Sequence, residues 1–169
     1  MLRELHTELG IPDDYGSDCV KPAFEEAVDL VEVGPNPDGR MQRLTSATAA
    51  SWQAMQAAAQ GDGVALLLIS GFRSVEYQAS LIRRKLDAGQ SVSEILNVSA
   101  APGFSEHHTG RAIDLAEPGA EPLTEEFESS AAFAWLEKNA AKFGFSMSYA
   151  RENRQGFAYE PWHWAKSSG

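Results

Sequence analysis

The chain contains a single cysteine, Cys19, so it can form no internal disulfide and build no cysteine-based zinc knuckle. Oxidising and reducing compartments therefore both stay open. Long apolar runs are missing as well: the longest, Val64 to Ile69, is far short of the ~20 residues that a membrane helix needs. Basic residues are scarce, 14 against 24 acidic ones, and the net charge is −10. Phosphate backbones reward surplus Lys and Arg, so no nucleic-acid partner is expected. The opening Met1-Leu2-Arg3-Glu4-Leu5-His6 has no basic stretch followed by a long apolar one. No export signal is expected in this chain, and the compartment stays open between periplasm or cell envelope and cytoplasm.

What is present fits one domain. A chain of 169 residues can bury about 70% of its unfolded surface, so no metal is needed merely to hold it folded. Residues 1 to about 20 mix Gly10, Pro12 and Gly16 with acidic residues and show no sustained period. They read as an irregular N-terminal arm, placed at 1–25, ahead of a domain at 26–169. Phe24, Ala27, Leu30 and Val31 have helical spacing, and Gly34 to Gly39 reads as a loop. From Leu44 to Gln60 an Ala-rich helix is expected, with Trp52, Met55 and Ala59 as its core face.

Val64 to Ile69 is apolar on both parities and bounded by glycines, which predicts a central strand covered on both faces. Ser74 then caps a helix reaching about Ala88, with Gly89 as its stop. That helix start and Arg73 direct positive charge at one spot, suited to a carboxylate or a developing oxyanion. Ser91 to Glu94 has the capping-box pattern. After Gly110 the chain alternates, so that Ala112 and Asp114 share one strand face while Ile113 and Leu115 share the other. Ser129 to Phe143 predicts an amphipathic helix, and Phe157 to Trp164 a returning strand that carries Glu160 and His163. Strand signals are few and short and regular βαβ alternation is absent, so the expected fold class is α+β.

Chemistry concentrates in Ser105-Glu106-His107-His108-Thr109-Gly110-Arg111-Ala112-Ile113-Asp114 and in Glu160-Pro161-Trp162-His163. Two imidazoles and a carboxylate are a normal ligand set for a catalytic zinc, and a further carboxylate nearby can take a proton from water. Adjacent His107 and His108 point apart in an extended segment, and spacing alone does not choose between them. No His-Glu-x-x-His helix is present, so a thermolysin-like protease is not expected.

Ser105-x-His107-x-x-Gly110-x-Ala112-x-Asp114 followed by Glu160-x-Trp162-His163 resembles the metal-binding signature of VanY-type zinc D-alanyl-D-alanine carboxypeptidases. These group with D-alanyl-D-alanine dipeptidases and the hedgehog and lysostaphin-like peptidases. Ser70-Gly71-Phe72-Arg73-Ser74 with Gln78 resembles a second segment of the family, with Phe72 where tyrosine is more usual. The resemblance runs from about Asp29 to Lys166. It implies a small, mostly antiparallel sheet with flanking helices. It also implies His107, Asp114 and His163 as zinc ligands, Glu160 as general base, and substrate-binding roles for Arg73, Gln78 and Ser105. Arg73 would assist catalysis at the oxyanion.

The expected substrate is a peptidoglycan stem peptide or muropeptide that loses its C-terminal D-alanine. An L,D-carboxypeptidase, a D-alanyl-D-alanine dipeptidase and an endolysin-type endopeptidase use the same machinery and are the alternatives. A non-catalytic wall-peptide binding module is the rival of another class. Binding alone has no need of a base three residues before a ligand, which weighs against it.

Overall fold

A computed structural model of the chain describes residues 2–17 and 20–167, and Cys19 lies outside the described residues. Helix α1 (Leu2–Glu8) is followed by strands β1 (Leu30–Pro35) and β2 (Met41–Thr45), then α2 (Ser46–Gly61), β3 (Leu67–Ser70), α3 (Val75–Asp87) and α4 (Val92–Val98). A 3₁₀ turn at Glu106–Thr109 leads into β4 (Ala112–Ala116). Helix α5 (Ala131–Asn139), 3₁₀ turns on either side of it, β5 (Phe145–Met147) and β6 (His163–Lys166) complete the order. This is an α+β architecture with small antiparallel sheets. Among the described residues no helix is long and apolar enough to cross a membrane.

The four-stranded sheet has the order β3-β4-β6-β5. Its register decides where the chemistry falls: Asp114 on β4 is paired with Ser70 on β3 and with His163 on β6. Strand parity sends Ile113 and Leu115 into the main core with Trp52, Met55, Leu136 and Phe145, so α2 and α5 cover that face. Asp114 lines a cleft instead. A smaller cluster of Leu9, Ile11, Ala79, Ile82 and Ile95 ties the N-terminal segment to α3 and α4.

Local signals hold at the helix ends. Ser74 accepts from Tyr77 N, Ser91 and Glu94 complete a capping box, and Gly144 ends the 3₁₀ turn after α5 with φ +83°. Gly71 is needed for close approach, because a Cβ there would meet the Arg43 carbonyl oxygen at 2.6 Å.

Four expectations change. The Phe24–Val31 spacing does not produce a helix: Phe24 N bonds Gly103 O and Ala27 N bonds His108 O, both at 2.8 Å, Val28 is 98% exposed, and Leu30 opens a strand. Non-local backbone bonds outweigh four apolar residues at helical spacing. The Val64–Ile69 run is an edge strand, not a central one, and spans only Leu67–Ser70. Side chains cover its free edge, with Asn36 Nδ2 donating to Ile69 O and Gln56 Nε2 to Leu66 O, both at 3.1 Å. The predicted strand Phe157–Trp164 begins only at His163, because Glu160 and Pro161 form a turn closed by His163 N to Glu160 O at 3.1 Å. The N-terminal arm contains α1, where an irregular wrap was expected.

Candidate metal centre and its cleft

The segment before β4 is a 3₁₀ turn rather than extended chain, and this separates the two adjacent histidines. His107 Nδ1 donates to Gly71 O at 2.7 Å, since a carbonyl can only accept, and this leaves Nε2 with its lone pair 3.1 Å from Asp114 Oδ2. His108 is fully buried and braces the loop: its Nδ1 donates to Arg73 O at 2.6 Å and its Nε2 accepts from Gly103 N at 3.0 Å. Both its nitrogens are occupied. Gly110 closes the turn in the left-handed region with φ +63°, which lets the chain reverse into β4.

His163 enters from the turn at Glu160 and faces Asp114 across the sheet register, with Nδ1 2.9 Å from Oδ1. Its other nitrogen, Nε2, lies 2.8 Å from Glu106 Oε2, and that oxygen also accepts from Ser148 Oγ at 2.6 Å. The His107 and His163 rings meet edge-on, 4.9 Å between centroids. One donor atom from each of His107, Asp114 and His163 lies within 4.8 Å of the others, and all three residues are buried. With the outer nitrogen of each imidazole held by Gly71 or Glu106, the inner nitrogens face Asp114. This is a donor set able to hold a metal ion.

Arg73 Nη2 pairs with Asp114 Oδ2 and its Nε donates to Ser70 Oγ at 2.8 Å. Glu160 Oε2 is 3.8 Å from His163 Nδ1, and the Glu160 side chain is 13% exposed. Ser105 and Gln78 are buried and line the same cleft, of about 480 Å³. Gln78 Nε2 donates to Ala100 O at 2.8 Å, and its buried Oε1 has no hydrogen-bond partner among the described residues. The structure thus brings His107, Asp114, His163, Glu160, Arg73, Gln78 and Ser105 to one cleft, whereas His108, Gly110 and Ala112 of the first motif do not line it. Three more cleft residues carried no sequence signal strong enough to find them: Glu106, Tyr149 and Lys85. A glutamate beside a histidine reads as solvated, and the other two reach the cleft only through tertiary packing.

Burial sets the charges. It lowers the His107 imidazole to about 4, and the charge of Arg73 adds to the effect, so His107 is neutral and ready to ligate. Burial would also lower His163, but hydrogen bonds to Asp114 and Glu106 outweigh it and push the imidazole up to about 10. Asp114 is held well below the usual carboxylate range: burial opposes its charge, but the His107 imidazole, which is itself charged at the low pH where Asp114 would protonate, the Arg73 guanidinium and the hydrogen bond from His163 prevail. Burial raises Glu160 to about 7. It also raises the Tyr149 phenol, helped by the charges of Glu106 and Glu160, so Tyr149 stays a neutral hydroxyl in the cleft.

The VanY D-alanyl-D-alanine carboxypeptidase family model matches residues 41–166. The YodJ protein of Bacillus subtilis is 29% identical over 171 residues, covering 96% of this chain and 58% of YodJ. The chain thus spans less than two thirds of that curated relative's length. The LdcB LD-carboxypeptidase structure matches with a TM-score of 0.74 at 31% identity, covering 86% of this chain and 71% of LdcB. The structure of the VanY E175A mutant from a VanB-type resistance cassette, in complex with Zn(II), matches with a TM-score of 0.64 at 26% identity, covering 83% of this chain and 79% of that one. The signature residues and the architecture lie within the matched span, and the chain belongs to the VanY D-alanyl-D-alanine carboxypeptidase family.

Proposed function

We propose that this protein is a zinc-dependent carboxypeptidase that hydrolyses the C-terminal D-alanine from peptidoglycan stem peptides, with His107, Asp114 and His163 as metal ligands. The observation that carries the reading is Glu160. Its carboxylate sits 3.8 Å from a nitrogen of His163 and makes no hydrogen bond among the described residues. In the metal-free protein burial raises it to about 7, and a buried carboxylate with no fixed hydrogen-bond partner beside a proposed ligand is placed to take up and return a proton. A site that only bound peptides would have no use for such a group.

Zinc held there would acidify a water and polarise the scissile carbonyl. The remaining work falls to this chain's own side chains. Glu160 removes the attacking water's proton and delivers it to the leaving amine. Arg73, anchored through Nε on Ser70 and Nη2 on Asp114, places fixed positive charge where the carbonyl oxygen gains negative charge. Ser105 and Gln78 offer polar groups along the cleft wall. Glu106 fixes the ring plane of His163.

A second reading, L,D-carboxypeptidase action on tetrapeptides, is supported by the likeness to LdcB, which exceeds that to the VanY mutant in both identity and TM-score. One experiment tests both. Zinc-loaded protein is incubated with a pentapeptide, a tetrapeptide and free D-alanyl-D-alanine, beside Glu160→Ala, and the products are read by mass spectrometry. Loss of one alanine from the pentapeptide alone, absent in the variant, supports D,D-carboxypeptidase action. Loss from the tetrapeptide favours the second reading, and a fully active, zinc-replete Glu160→Ala sinks both.

A further inference from the structure

Three cationic side chains line the cleft of this acidic protein: Arg40, Arg73 and Lys85. Two have partners. Arg40 stacks over the Tyr77 ring at 4.6 Å, and Arg73 is engaged by Asp114 and Ser70. Lys85 differs. It lies on α3 seven residues after Gln78, which is two helical turns along the same face. It is half-buried, its Nζ donates to Ser99 Oγ at 2.6 Å, and it forms no ion pair with a carboxylate among the described residues.

A lysine at this depth ordinarily carries its ammonium out to water along its apolar stem. Here the ammonium is held inward by a hydroxyl. Burial and the charge of Arg73 keep Lys85 below the usual lysine range, the Glu160 carboxylate offsetting them only in part, so it stands desolvated with no ion-pair partner among the described residues. Ser99 accepts from Lys85, and its own hydroxyl proton has no acceptor among the described residues. An ammonium and a hydroxyl side by side on the wall shared with Gln78, Ala100 and Ser105 complement one carboxylate.

We propose that Lys85, backed by Ser99, is the seat for the substrate's carboxylate, and that the group it takes is the chain-end carboxylate of the departing residue. The assignment rests on the carboxypeptidase reading above and places the carboxylate on Lys85 rather than on Arg73, which Asp114 and Ser70 already engage. It gives a physical basis for cutting a terminal residue rather than an internal bond: without a carboxylate on the leaving side, the Lys85 ammonium keeps only the Ser99 hydroxyl and gains no ion-pair partner.

Stem peptides also carry a carboxylate nearer the sugar, on isoglutamate, and the test separates the two sources. We would measure kcat and KM for wild type, Lys85→Gln and Ser99→Ala with a pentapeptide acid, its C-terminal amide, and the acid with isoglutamate replaced by isoglutamine. Wild type should prefer the acid over the amide by roughly 10- to 100-fold, the range for a hydrogen bond to a charged group. Lys85→Gln should collapse that preference through KM, and Ser99→Ala should reduce it in the same direction. Isoglutamine should leave it unchanged. A wild type with no preference for the acid, or a Lys85→Gln that keeps it, overturns the seat. A preference that follows isoglutamate overturns the chain-end assignment.

If wild type cuts none of these peptides, the carboxypeptidase reading falls separately. Calorimetric titration of the zinc-loaded protein with the acid and the amide then decides the seat. The proposal requires tighter binding of the acid that Lys85→Gln abolishes, and equal binding of acid and amide by wild type overturns it. Should Lys85→Gln fail to fold, Ser99→Ala reads the same ratio.

Discussion

Glu106 Oε2 lies 2.8 Å from His163 Nε2, the imidazole nitrogen turned away from Asp114, and Ser148 holds the same oxygen. A carboxylate behind a ligating histidine fixes both its ring plane and its tautomer, and removing such a partner typically weakens metal binding by about 10–100-fold. Glu106→Ala should therefore loosen zinc within that range in a chelator competition. Glu106→Gln, which can still accept from Nε2, should lose less. Wild-type zinc affinity in Glu106→Ala would show that the contact does not orient the ligand.

The adjacent histidines should separate cleanly. His107→Ala removes a proposed ligand and should abolish zinc binding measured by metal analysis. His108→Ala keeps the ligand set but leaves Arg73 O and Gly103 N without their partner. An unsatisfied buried polar group costs about 1–3 kcal/mol, so His108→Ala should lower the thermal midpoint markedly while binding zinc. A zinc-free His108→Ala that folds normally would reverse the assignment.

Glu160 gives a stability signature independent of turnover. Its folded value of about 7 lies above its ordinary 4.5, so its contribution is fully present at low pH and lost as pH rises through 7. Above pH 7 the buried charge destabilises the metal-free protein by on the order of 3 kcal/mol. Metal-free Glu160→Gln should melt higher than wild type at pH 8, with the difference gone at pH 4. An equal difference at both values would mean that burial does not raise Glu160.

Arg73→Lys keeps the charge but cannot bond Ser70 and Asp114 together from a planar fork. If Arg73 acts on the developing oxyanion, kcat should fall by roughly 10²–10³ with KM little changed. A rise in KM alone, as expected for Lys85→Gln, would instead make Arg73 the carboxylate clamp.

The candidate site was more legible than the fold. Helix caps at Ser74 and Ser91 and the core face of Trp52, Met55 and Ala59 are local matters, fixed within a few residues of chain. The hairpin of β1 and β2 was not legible, because the backbone bonds that draw residues 24–27 away from a helix end on Gly103 and His108, far along the chain. The edge position of β3 was hidden for a similar reason. Asn36 and Gln56 cover that edge with side chains, and an apolar run reads the same whether strands or side chains cover it.

By itself the sequence determined the donor types, the parity that turns Asp114 away from Ile113, and a glutamate three residues before a histidine, since these depend only on chain spacing and side-chain chemistry. Spacing left His107 and His108 equivalent and only the family resemblance chose His107; tertiary structure gave the geometry by which His107 meets Asp114, and it alone decided that His163 pairs with Asp114 in register, that Glu106 backs His163, and that Lys85 turns inward to Ser99. Each of those outcomes depends on a strand register, a 3₁₀ turn or a contact between distant segments, and such geometry exists only once the core has packed.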